Sequence, residues 1–203
     1  MPTRNSRKVY LPDSFYHIYS RGHNKSEIFH TAEDYKFFLS LLKRYLSPEQ
    51  QKNKNGRLYP NHSKEVELAA FCIMPNHIHL LVHQHTERGI QKLMHSVMTS
   101  YSMYYNQTHG TLGSVFQGRY LASLVDKDSY LHHISRYIHL NPKDYREYEY
   151  SSLQYYLGSK KAEWLNTSLV MSLFRGPSDY LDFLADYDEH QQMLQEMNYE
   201  IAD

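Results

Sequence analysis

The chain has almost no cysteine, no long apolar run and no basic residue near its end, and each scarcity excludes something. A single cysteine, Cys72, rules out an internal disulfide or a thiolate zinc cluster and fits a reducing cytosol. Nowhere do about 18 apolar residues follow one another, so no membrane span is expected. The basic segment Met1-Pro2-Thr3-Arg4-Asn5-Ser6-Arg7-Lys8 lacks the apolar stretch of a secretory signal, so a soluble cytoplasmic chain is expected. After Pro177 there is no Lys or Arg but there are eight acidic residues, which leaves 22 basic against 14 acidic residues before that point, a net of +8 hidden in a total of +0. A basic body favours a polyanionic partner, while the acidic tail reads equally well as a solvated amphipathic helix.

What is present starts with the stretch Ile73-Met74-Pro75-Asn76-His77-Ile78-His79-Leu80-Leu81-Val82. As a strand it alternates faces, with His77, His79 and Leu81 on one side and Ile78, Leu80 and Val82 on the other. The apolar side can seal a core while the imidazoles look outward, close enough together to share a divalent cation. His83 and His85 continue the same parity and are expected to be exposed.

Around this stretch the chain punctuates clearly. Phe15-Tyr16-His17-Ile18-Tyr19 reads as a first strand ending at Ser20-Arg21-Gly22, with Arg21 a candidate phosphate contact. Thr31 with Glu33 and Asp34 opens a helix over 32–46. A polar loop over 47–64 carries Lys52, Lys54, Arg57 and Lys64. Strands follow at 65–72 and 77–83, a helix at 89–106, a strand within 115–125 and a helix at 129–141, capped by Asp126 or Asp128 and stopped by Pro142. On that last helix Tyr137 and Asn141 share a face one turn apart, beside a stripe of Leu131, Ile134 and Ile138. Tyr130, two turns before Tyr137, is the rival reactive phenol. This order predicts an α+β fold, an antiparallel sheet with helices mainly on one face. The hydrophobic fraction of 41% over 203 residues suffices for one such core with an appendage.

The motif containing His77-Ile78-His79 resembles the His-hydrophobe-His (HUH) motif of the single-tyrosine transposases. Arg136-Tyr137-Ile138-His139-Leu140-Asn141-Pro142 resembles the tyrosine motif of their REP-associated branch. Tyr16-His17-Ile18-Tyr19-Ser20-Arg21-Gly22, Glu33-Asp34-Tyr35, Phe116-Gln117-Gly118-Arg119-Tyr120 and Tyr150-Ser151-Ser152 match in the same order, over about residues 10 to 157. The resemblance implies a ferredoxin-like HUH nuclease domain over 1–157; the acidic extension over 158–203 falls outside its motifs and is expected to be two or three helices. It implies a DNA transposase, a single-stranded DNA endonuclease and strand transferase that forms a 5′-phosphotyrosine at hairpin-forming palindromic sites. Tyr137 would be the nucleophile, His77, His79 and Asn141 the metal ligands, and Arg21, Gln117, Arg119 and Arg136 the DNA contacts. Mg²⁺ or Mn²⁺ would be the cofactor, although raw affinity favours later transition metals. The partner implied is single-stranded DNA; the extension, outside the motifs, is open as a homodimer contact, an autoinhibitory cover for the basic groove or simple packing. Two other classes fit parts of the pattern: an inactive DNA-binding regulator of the same fold, and a histidine-triad-type nucleotide hydrolase, which would need a histidine where Leu81 stands. After Asn141-Pro142 the segment Lys143-Asp144-Tyr145-Arg146 departs from many relatives, so DNA sequence preference does not carry over.

Overall fold

The structure is a computed structural model, and it describes residues 10–125 and 128–186. The expected caps Asp126 and Asp128, the basic first eight residues and most of the acidic tail lie outside the described side chains. Four strands, β1 (Ser14–Arg21), β2 (Val66–Met74), β3 (His77–Gln84) and β4 (Leu121–Val125), form one sheet in the order β2-β3-β1-β4. Every neighbouring pair is antiparallel. With helices α1 (Ala32–Leu46) and α2 (Gly89–His109) between strands, the order is the ferredoxin-like β-α-β-β-α-β. Then come α3 (Asp128–Leu140) and three short helices, α4 (Leu153–Tyr156), α5 (Ser168–Met171) and α6 (Pro177–Ala185).

Strand alternation builds the first core layer. Tyr16 and Ile18 of β1, Ile78, Leu80 and Val82 of β3, and Leu68, Phe71 and Ile73 of β2 face α1 and α2. The helices answer with Phe38, Leu41 and Leu42, and with Ile90, Leu93, Met94, Val97 and Tyr101. α1 starts where expected because Thr31 and Asp34 form a reciprocal capping box. α2 runs three residues past its expected end at Asn106, because His109 Nε2 meets the buried Asp34 carboxylate at 3.0 Å before Gly110 closes the helix with φ 64°.

The helices, expected mainly on one face, are shared between both. α1 and α2 cover one face, and α3 covers the other together with the short helices. Ala69, Ala70 and Cys72 make that face of β2 shallow, so Leu131, Ile134 and Ile138 of α3 pack close to it with Leu81. The expectation that the histidine face looks outward is therefore corrected: His79 is 1% exposed, because α3 lies over it. Residues 158–186 join the same layer through Val170, Tyr180 and Leu184. The free edge of β2 is shielded by the segment 150–152, where Ile73 N–H donates to the Tyr150 carbonyl at 2.9 Å and Phe71 N–H donates to Ser152 Oγ at 2.8 Å. Among the described residues no helix is long and apolar enough to cross a membrane.

Candidate active site

The register between β1 and β3 sets Tyr19 opposite His79 and Arg21 opposite His77. His17, one place further along the same face, stacks on His79 with ring centroids 5.1 Å apart and an 11° interplanar angle. Its Nε2 lies 2.9 Å from His79 Nδ1. At the end of α3, Asn141 reaches across to both motif histidines, with Oδ1 3.0 Å from His77 Nε2 and Nδ2 3.3 Å from His79 Nε2. Residues some 60 positions apart thus converge on one point, where helix meets strand.

The contacts admit a tautomer assignment in which both motif histidines turn Nε2 toward Asn141 as a lone pair, and it runs through the network in order. The Asn141 amide donates to His79 Nε2, so His79 carries its proton on Nδ1 and donates it to His17. The His79 Nε2 lone pair, which accepts from the Asn141 amide here, is the one that a metal would take in its place. His77 Nδ1 lies 2.6 Å from Asn76 Oδ1, an acceptor, while the Asn76 amide nitrogen donates to the Lys25 carbonyl. His77 therefore also keeps its proton on Nδ1, and its Nε2 lone pair faces the Asn141 oxygen. In this assignment His77 Nε2 and Asn141 Oδ1 are two acceptors face to face, a contact that either a proton on Nε2 or a bound cation satisfies. Burial lowers the pKa of His77, which disfavours the proton, the Asn141 contact opposing only in part. A 3.0 Å separation also matches two neighbouring ligand atoms on a cation with bonds of about 2.1 Å. The residues present fit a divalent ion held by His77, His79 and the Asn141 oxygen.

Tyr137 completes the cluster. Its ring stands edge-on to His79 at 5.1 Å and to His17 at 5.7 Å. The residue is 4% exposed, and burial, with smaller contributions from Tyr19 and Cys72, pushes the phenol up to about 12. Burial also pulls His17 down to about 4 and His79 well below its ordinary value, so the imidazoles are neutral at pH 7 and add no charge of their own. Tyr130, the rival phenol, is exposed near the start of α3 and outside this cluster.

With this geometry in place, comparison with known proteins is informative. The family described as IS200-like transposases matches residues 12–141, more than half of the chain. The chain belongs to the IS200-like transposase family. Membership makes it a transposase-type, DNA-processing protein. Among solved structures, a REP-associated tyrosine transposase bound to a REP hairpin is similar at a TM-score of 0.55 and 14% identity, covering 77% of this chain and 86% of that one, which supports the shared fold. A candidate transposase from Deinococcus radiodurans R1 aligns at 16% identity over 66% of this chain and 95% of its own, with a TM-score of 0.40, below the level at which a common fold is established. No curated protein matches the sequence.

The IS200-like family motifs distribute unevenly around the cluster. Arg21 and Gln117 meet at its rim, the Arg21 Nε donating to Gln117 Oε1 at 2.9 Å, both open to solvent on at least one side. Arg119 is exposed but lines a groove with Gln91, His95 and Met98 of α2, away from the histidines. Arg136, expected to contact DNA, is instead fully buried: its guanidinium lies over the Phe183 ring at 4.2 Å and donates to the Phe183 carbonyl at 3.2 Å. α6 supplies that cover, so Arg136 anchors the tyrosine helix from behind. His139 does the same, joined to Tyr180 and to Ser152 at 2.6 Å each. Sequence reasoning missed His17, Tyr19 and Asn76 as parts of the site. The parity of His17 with Tyr19 and Arg21, set against His77 and His79, was the signal available for the first two.

Proposed function

We propose that the protein cleaves and rejoins single-stranded DNA at hairpin-forming palindromic sites, with Tyr137 as nucleophile and Mg²⁺ or Mn²⁺ held by His77, His79 and Asn141. The observation that carries this reading is that the Asn141 side chain meets both motif histidines, His77 Nε2 through Oδ1 at 3.0 Å and His79 Nε2 through Nδ2 at 3.3 Å, beside the Tyr137 ring. A histidine-triad hydrolase is disfavoured because position 81 is a buried leucine in the α3 core. The hairpin substrate is carried over from the similar structure, which is bound to a REP hairpin.

A phenol pushed up to about 12 is ionised in only roughly one molecule in 10⁵ at pH 7. The neutral imidazoles do not lower that barrier. Held by His77, His79 and Asn141, a divalent ion would supply positive charge to the scissile phosphate and to the departing 3′ oxygen. The chain's own residues set the rest. His17 and Asn76 hold the two imidazoles in the Nδ1–H tautomer, leaving both Nε2 atoms as ligands. α3, gripped by α6, holds the Tyr137 oxygen for attack on phosphorus. The Tyr137 O–P bond forms as the P–O3′ bond breaks, giving a 5′-phosphotyrosine and a free 3′-OH. One ester replaces another, so the reverse attack by a 3′-OH rejoins the strand without ATP. Arg21 with Gln117 at the rim is positioned to meet backbone phosphates.

The test is covalent trapping. Wild-type protein incubated with a hairpin-flanked single strand and Mn²⁺ should give a protein–DNA adduct that survives denaturation, and Tyr137→Phe should give none while retaining DNA binding. An adduct of undiminished yield from Tyr137→Phe would overturn the assignment; DNA binding with no adduct from the wild type would favour the inactive regulator.

A further inference from the structure

The far end of β3 repeats the geometry of the catalytic pair. His83 and His85 follow at the same two-residue spacing, and their rings stand 4.7 Å apart at 82°, against 4.9 Å and 87° for His77 and His79. In place of the Asn141 amide there are carboxylates. Asp13, just before β1, brings Oδ1 to 3.5 Å from His85 Nδ1. Glu67, the register partner of His83 on β2, brings Oε1 to 3.7 Å from His85 Nε2, while Asn166 holds its other oxygen at 3.2 Å. One ligand atom from each of Asp13, His83 and His85 lies within 4.8 Å of the others.

Three observations favour an ion over a plain ionic contact. Both carboxylate separations are longer than good hydrogen bonds. His83 Nδ1 is buried and has no hydrogen-bond partner, which a buried ring nitrogen rarely tolerates. Asp13 holds φ at 46°, a left-handed conformation that an L residue adopts at a cost and that places its carboxylate beside both rings.

We propose that Asp13, His83 and His85 form a second divalent-cation site, of zinc type, separate from the His77–His79–Asn141 centre, with Glu67 orienting His85 from its other ring nitrogen. Two imidazoles and a carboxylate are a donor set that Zn²⁺ takes readily. It carries negative charge that the neutral catalytic set lacks, so a borderline transition metal fills this site first. There it ties the lead-in to β1 onto the ends of β2 and β3. The metal content of the purified protein then reports this site rather than the catalytic one.

Zn²⁺ titrated calorimetrically into His77→Ala/His79→Ala protein should bind at one equivalent, and Co²⁺ in its place should give visible d–d absorption. Adding His83→Gln and His85→Gln should remove both signals, and Asp13→Asn should weaken Zn²⁺ at least about tenfold. If circular dichroism shows that the catalytic-pair variant is unfolded, the same comparison is made between the full chain and His83→Gln/His85→Gln, which should lose one equivalent while keeping Mn²⁺-dependent DNA cleavage. Absence of saturable Zn²⁺ binding in the catalytic-pair variant, or binding unchanged by the glutamine substitutions, overturns the proposal. Because the first measurement is made without the catalytic histidines, its outcome is independent of the nuclease reading.

Discussion

The two faces of the sheet are made from the same strands, yet they do opposite work. On the α1/α2 face, Ile18, Ile78, Leu80 and Val82 are fully buried among apolar side chains, and the strands present no titratable imidazole there. On the α3 face, the intervening residues His17, Tyr19, His77 and His79 are mostly buried too, but as a hydrogen-bonded polar cluster. One face stores stability, and the other holds chemical potential in unprotonated, preoriented imidazoles. The lesson is that burial alone does not separate core from site; what separates them is whether the buried atoms are apolar or form a polar, hydrogen-bonded cluster.

Substitutions on the two faces should therefore fail differently. The largest effect is expected from His79→Ala, which should lower DNA cleavage by roughly 10²–10³-fold through loss of a charge-stabilising ligand; wild-type rates in Mn²⁺ would refute the cation role. Leu80→Ala, one residue along but on the opposite face, should cost about 2–5 kcal/mol in denaturant unfolding and leave Mn²⁺ affinity of the folded protein unchanged. A change in Mn²⁺ affinity without a stability loss would erase the contrast. His17→Gln should fold, and should weaken Mn²⁺ binding by about 10–100-fold as read by the free-Mn²⁺ electron paramagnetic resonance signal, because the tautomer of His79 is no longer fixed by an imidazole. Undiminished affinity would make His17 a packing residue.

The contrast also predicts a pH dependence from the buried histidines of the polar face. Burial depresses His17 to about 4 and His139 to about 3 from an ordinary 6.5. Below pH 6.5 the unfolded chain therefore binds protons that the folded one refuses. Stability from these groups is full above pH 6.5 and falls as the pH drops toward 4 and 3, by at most about 1.4 kcal/mol per pH unit for each. Thermal unfolding at pH 7 and pH 5 checks this, and a midpoint that does not fall, measured in His139→Gln and wild type alike, would show that neither histidine contributes.

Much of this arrangement is legible in the residue pattern. The Thr31–Asp34 cap, the Ile90-Leu93-Met94-Val97-Tyr101 stripe and the parity of His77 with His79 all appear as read, since each depends on the local period of a helix or strand. So does the one-turn relation of Tyr137 to Asn141. Arg136 is the instructive failure. Its place beside Tyr137 suggested a DNA contact, but Phe183, 47 residues later, covers it. A helical wheel reports which residues share a face and cannot report what arrives from elsewhere to close that face. The same holds for His17, whose partner His79 lies 62 residues away.

By itself the sequence determined the elements and their alternation, because these follow from backbone geometry acting over a few residues. Only the tertiary structure decided which strand face is sealed by apolar helices and which by α3, the β1–β3 register that sets His17 against His79, and the use of α6 to grip the tyrosine helix. Those choices rest on burial and hydrogen bonding between residues dozens of positions apart, where no short-range pattern records the outcome.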